Sequence, residues 1–101
     1  MPSPEITEAP LTDDQQTAAA GFSVIVDNFT FAPATTIVPV GTTVTWTNRD
    51  DLPHNVVSVE QKFKSPVLDT DEKFSHRFDT AGSYKYFCSI HPKMTGEIVV
   101  R

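Results

Sequence analysis

Cys88, His91 and Met94 stand three residues apart in the run Cys88-Ser89-Ile90-His91-Pro92-Lys93-Met94, so a thiol, an imidazole and a thioether share one short connection. The chain holds a single Cys, three His and two Met, one of which is Met1, and accident is a poor account of such regular spacing among so few donors. Taken singly, each residue has a bland reading. A lone Cys is usually a small buried hydrophobe, a loop His is solvated, and a Met beside a strand fills core. Taken together they are chemically matched: thiolate and thioether are soft ligands, imidazole suits copper, and the set selects copper. Zinc would occupy the same donors and stay redox-silent. A closed site also wants a donor from elsewhere in the fold. His54 is favoured, because it lies in Asp50-Asp51-Leu52-Pro53-His54-Asn55, where a loop enters a strand and Pro53 stiffens the backbone. His76, between Phe74 and Phe78 in an alternating run, is the remaining imidazole and is expected to be structural.

Short β-strands must hold these residues in place. Phe22–Val26, Thr36–Val38, Thr43–Thr47, Asn55–Val59, Phe74–Phe78, Ser83–Phe87 and Glu97–Val100 are rich in β-branched or aromatic residues, and turn-forming residues separate them. No window of a dozen residues carries a capped helical stripe. Seven or eight strands without a covering helix have to bury their faces against one another, which predicts an all-β sandwich or small barrel. Trp46, Phe22, Phe29, Phe31, Phe74, Phe78 and Phe87 are the aromatic residues expected to fill its core. Glu60–Thr70 is the least regular stretch and is expected to contain a loop.

At 101 residues, 39% hydrophobic and 21% charged, the chain has material for one small domain. The single Cys leaves no intrachain disulfide, and no apolar run approaches the roughly 18 to 20 residues of a membrane-spanning helix. A net charge of −5 argues against nucleic acid as a partner, which requires a basic face. The acids are concentrated early: residues 1–20 carry Glu5, Glu8, Asp13 and Asp14 with no Lys or Arg, and show neither helical nor strand periodicity. This stretch is expected to be a disordered acidic tail or linker, either a spacer tethering the domain to an anchor or another module, or a leftover without a role. Its first residues lack the basic start and apolar stretch of a signal peptide, and are read as a cytoplasmic start or the cut end of a longer precursor. Residues 21–101 form the domain.

Three segments carry a family resemblance: Leu52-Pro53-His54-Asn55-Val56, Asp79-Thr80-Ala81-Gly82-Ser83-Tyr84, and Tyr86-Phe87-Cys88-Ser89-Ile90-His91-Pro92-Lys93-Met94-Thr95-Gly96. They resemble the cupredoxins, the small blue copper proteins, and most of all the plastocyanin and amicyanin branch. The short loop, with two residues between Cys88 and His91 and two between His91 and Met94, is most similar to amicyanin. The resemblance covers about residues 21–101 and implies an eight-stranded Greek-key β-sandwich, one type 1 copper ion, and His54, Cys88, His91 and Met94 as its ligands. It also implies that Asn55 ties the ligand loops together or bonds near the Cys88 sulfur, and that Tyr84 forms a tyrosine corner.

The function implied is one-electron transfer by copper cycling between Cu(II) and Cu(I), with no substrate turned over, because the site offers neither an open coordination position nor a carboxylate dyad. The exposed edge of His91 would be the electron port, ringed by Leu52, Pro53, Ile90 and Pro92, where redox partner proteins dock. Lys93 beside it would bias partner choice toward acidic surfaces. A monomer in the periplasm or another exported compartment fits copper with an unpaired thiolate. The rival is a copper chaperone or storage domain that hands over the metal, although the Met- or His-rich tracts common in such modules are missing. A Cys88–His91 nucleophilic enzyme would leave Met94 unexplained.

Overall fold

A computed structural model describes residues 21–101; the expectation for residues 1–20 lies outside the described residues. Eight strands run β1 Phe22–Asp27, β2 Thr30–Ala32, β3 Thr35–Val38, β4 Thr42–Asn48, β5 Val57–Ser58, β6 Lys73–Phe78, β7 Gly82–Phe87 and β8 Thr95–Val100. They make two four-stranded sheets, ordered β2-β1-β4-β6 and β3-β8-β7-β5. The first and last connections are hairpins within one sheet, and the chain crosses between sheets at every connection from β2 to β7. Two pairings, β1 with β4 and β3 with β8, are parallel; the rest are antiparallel. No helix occurs among the described residues. The architecture is the all-β sandwich expected.

Period-two alternation builds the core. Val24 and Val26 of β1, Val44 and Trp46 of β4 and Phe78 of β6 point inward from one sheet. Val38, Tyr86, Ile98 and Val100 meet them from the other, and Phe31 of β2 joins them. Trp46 is fully buried, with its ring 5.4 Å from Tyr86 and 5.7 Å from Phe63. Gly96 has a packing reason: a Cβ there would lie 2.5 Å from Cζ of Tyr86, opposite it in the β7–β8 ladder. Gly82 opens β7 with φ 152° and the Tyr84 hydroxyl donates to the Thr80 carbonyl at 2.6 Å, the tyrosine corner anticipated.

Several expectations need correction: Asn55–Val59 pairs as a strand only over Val57–Ser58, and Phe87 is half-buried and outside the core cluster. Thr30–Ala32 is a strand the residue pattern did not reveal, since only Phe31 of its three residues turns inward. Phe29 is not core. It occupies the two-residue turn between β1 and β2 and is 44% exposed, while Phe63, from the strandless Glu60–Thr70 stretch, takes a core place instead. Asn28 (φ 49°) and Phe29 (φ 59°) both adopt the left-handed conformation that joins twisted strands tightly. Asn tolerates that conformation; a bulky Phe rarely does.

Candidate metal centre

One end of the sandwich gathers the donors. The β7–β8 connection is shaped by three backbone hydrogen bonds: His91 N–H donates to Cys88 C=O (3.2 Å), Met94 N–H to His91 C=O (2.9 Å), and Cys88 N–H to Met94 C=O (3.2 Å). Two successive tight turns thus bring residues 88, 91 and 94 to the same side, and the third bond closes the loop where β8 begins. Their three-residue spacing is the spacing of those turns.

His54 arrives from the other sheet's exit. After β4, the buried Asn48 side chain donates to the Leu52 and Leu68 carbonyls (3.0 and 2.8 Å) and accepts from Asp50 N–H (2.9 Å), which folds the Arg49–Pro53 turn. His54 then pairs its backbone with Leu68 in both directions, N–H to C=O at 3.1 Å and C=O from N–H at 2.7 Å. The ring is 1% exposed.

The outcome is a cluster of His54, Cys88 and His91. Cys88 Sγ lies 3.7 Å from His54 Nδ1 and 3.8 Å from His91 Nδ1, and the two nitrogens are 3.2 Å apart. A point equidistant from all three atoms sits about 2.1 Å from each, within the reach of imidazole and close to that of thiolate on a first-row metal ion. Two nitrogens and a sulfur aimed at one point fit a trigonal, soft-ligand metal centre. Met94 is buried in the core cluster at the third corner of the loop. Cys88 and His54 are buried and His91 is partly exposed, so of the three donors His91 alone reaches solvent.

The surrounding bonds lock the cluster. Asn55 N–H points at Cys88 Sγ (3.5 Å), and the Asn55 side chain exchanges hydrogen bonds with Ser89, so both roles expected of it are present. Val56 N–H donates to Ser65 Oγ (2.8 Å), binding the segment after His54 to the β5–β6 connection. His76 lies elsewhere, on β6, with its ring against Phe63 and Phe78, and burial holds its pKa below the ordinary imidazole value against an opposing pull from Asp79.

Two neighbours were not anticipated. Asp50 Oδ2 lies 2.9 Å from His54 Nε2, on the side of the ring away from Cys88. This hydrogen bond above all, with the N–H groups of Phe29 and Asp51 assisting and burial opposing, holds the Asp50 carboxyl below the usual carboxylate range. The Phe29 ring packs nearly perpendicular to both imidazoles, 5.6 Å from His54 and 5.0 Å from His91. The only local signal for Asp50 was an acid four residues before a candidate ligand. None marked Phe29.

The family model described as copper binding proteins, plastocyanin/azurin family, matches residues 18–101. The chain is 34% identical over 91 residues to amicyanin-alpha of Methylorubrum extorquens, covering 85% of this chain and 76% of that protein. It is 44% identical over 68 residues to amicyanin of Paracoccus denitrificans; that match covers 62% of this chain and spans only about half, 52%, of the relative's length. Among solved structures, a purple cupredoxin from Nitrosopumilus maritimus superposes with a TM-score of 0.76 at 40% identity, covering 79% of this chain and 99% of that one.

Proposed function

The chain belongs to the plastocyanin/azurin family of copper-binding proteins, and we propose that His54, Cys88 and His91 would hold its copper ion, with Met94 as a weaker fourth ligand. Copper is the cofactor, and the protein is an electron carrier rather than an enzyme. Bound among these donors, copper supplies a one-electron Cu(II)/Cu(I) couple. The observation that carries the ligand assignment is the triangle of Sγ and two Nδ1 atoms, each 3.2 to 3.8 Å from the next.

The residues contribute rigidity. Cu(II) and Cu(I) favour different geometries, and ligands free to follow those preferences would move at every transfer. Cys88 and His91 are held by the turn hydrogen bonds of their loop, His54 by Leu68, and the two ligand segments by Asn55 and Ser89. The same rigidity and the burial of Cys88 and His54 disfavour a module that hands the metal on, which needs accessible and mobile ligands.

The partly exposed edge of His91 is the proposed electron port. Phe29, whose ring lies 5.0 Å from that of His91, is 44% exposed, and Leu52, Pro53, Ile90 and Pro92 in the neighbouring ligand segments are exposed as well, which supports an apolar rim for a redox partner protein. Exposed Lys93 favours an acidic partner surface. A monomer working in an exported, periplasm-like compartment completes the reading; its support is the copper chemistry and the family. No helix among the described residues is long and apolar enough to cross a membrane.

The test is to add Cu(II) to the protein and record optical and paramagnetic spectra with voltammetry. An intense visible thiolate-to-copper band, narrow hyperfine splitting and a reversible one-electron wave are expected. A pale complex with wide splitting and no reversible wave contradicts the reading.

A further inference from the structure

We propose that Asp50 is the positioning residue that orients His54 as a copper ligand and biases the couple toward Cu(II), an inference that rests on the ligand assignment above. A ligand imidazole can present only one nitrogen to a metal, and the bond made by the other decides which. In His54 the Nδ1 atom faces Cys88 and His91, while Nε2 lies 2.9 Å from Asp50 Oδ2. A carboxylate there accepts only from N–H, so it keeps the proton on Nε2 and leaves the lone pair on Nδ1, where the metal would sit.

The carboxylate is itself held. Its Oδ1 accepts from Asp51 N–H at 2.8 Å, and its Oδ2 accepts also from Phe29 N–H at 3.2 Å. The Asp50 backbone is pinned through its own N–H to Asn48 Oδ1. The side chain is 12% exposed, so its charge is only partly screened by solvent. One oxygen therefore joins His54 to the hairpin turn that carries Phe29, whose ring packs against both imidazoles. A fixed anion beside a ligand ring favours the more positive oxidation state, so its removal should raise the reduction potential.

Three measurements test this. Nitrogen NMR of His54 in the metal-free full chain should show the proton on Nε2; a proton on Nδ1 overturns the proposal, and this readout needs neither copper nor a variant. Asp50→Asn keeps an acceptor of nearly the same shape and removes the charge. In the copper-loaded protein it should shift the oxidised-to-reduced ratio at fixed potential by about tenfold toward reduced, about 59 mV for one electron. Asp51→Asn removes the same charge one residue away with no bond to His54, and should shift it markedly less. Equal shifts, or none for Asp50→Asn, mean that Asp50 acts only as part of the overall charge or not at all, and the proposal fails. If instead the wild type forms no thiolate–copper band, the ligand assignment has failed, and the NMR result still decides the orientation of His54.

Discussion

Asn55 and Ser89 hold each other by two hydrogen bonds of 2.8 Å: the Asn55 amide donates to Ser89 Oγ and its carbonyl accepts from Ser89 N–H. Each residue directly follows a proposed ligand, so this pair ties together the two segments that supply His54 and Cys88. Asn55 is 5% exposed, and removing its side chain costs both bonds. Asn55→Ala should cost about 1–3 kcal/mol of stability and weaken copper binding by about 10- to 100-fold. Ser89→Ala keeps one of the two bonds and should do less of both. Denaturant unfolding and chelator competition measure the pair of effects; if Ser89→Ala matches Asn55→Ala, the two-bond link is not what joins the loops.

Gly96 lies against the ring of Tyr86 with no room for a side chain. Gly96→Ala places a methyl 2.5 Å from Cζ and Oη of a fully buried Tyr86, which cannot swing away, and should destabilise the protein by about 1–3 kcal/mol. At Gly21 the nearest atom to a new Cβ is the Thr43 carbonyl oxygen at 3.6 Å, so Gly21→Ala should be close to neutral. Thermal unfolding of the two variants makes the comparison, and equal melting temperatures would rule out the clash.

How far the pattern of residues could reveal this molecule depends on how local each feature is. Val24 and Val26, Val44 and Trp46, and Ile98 and Val100 alternate inward within single strands, so the sandwich is readable from them. Cys88, His91 and Met94 come together through turns inside their own loop, and their spacing declares the geometry. His54 is different, since its backbone is fixed by Leu68, fourteen residues on, through a bridge that no local pattern marks. Phe29 looked like core because it is large and apolar. The tight hairpin overrides that preference and turns it outward, over the imidazoles. Asp50 gains its role only once that hairpin and the Asn48-braced turn meet, across 21 residues of chain.

The left-handed backbone of Phe29 has a measurable consequence. An L-residue in that conformation carries a cost of about 1–2 kcal/mol that Gly escapes. Phe29→Ala loses the ring and keeps the cost, whereas Phe29→Gly loses both, so the Gly variant should be the more stable of the two by about 1 kcal/mol. A Gly variant less stable than the Ala variant would show that the turn is unstrained.

His76 sets a pH dependence of stability. Burial favours its neutral form in the folded protein, so its folded pKa is below the ordinary value of 6.5, with Asp79 offsetting part of that effect. Above about pH 6.5 both folded and unfolded chains hold it neutral and its contribution is complete. As pH falls below that value the unfolded chain takes the proton first, and stability declines until the pH has passed through the folded pKa as well. The melting temperature should therefore fall less steeply between pH 7 and 5 in His76→Gln than in the wild type. Parallel curves for the two proteins would remove His76 from the account.

Sulfur at position 88 is the most demanding requirement of the proposed ligand set, because only a thiolate there would give copper an intense visible transition, from a residue that directly follows β7. Voltammetry and absorption of copper-loaded Cys88→Ser beside the wild type put it to the test. The visible band and the reversible wave should both vanish in the variant while the sandwich still unfolds cooperatively; a variant that keeps both would mean that the copper is bound somewhere other than between His54, Cys88 and His91.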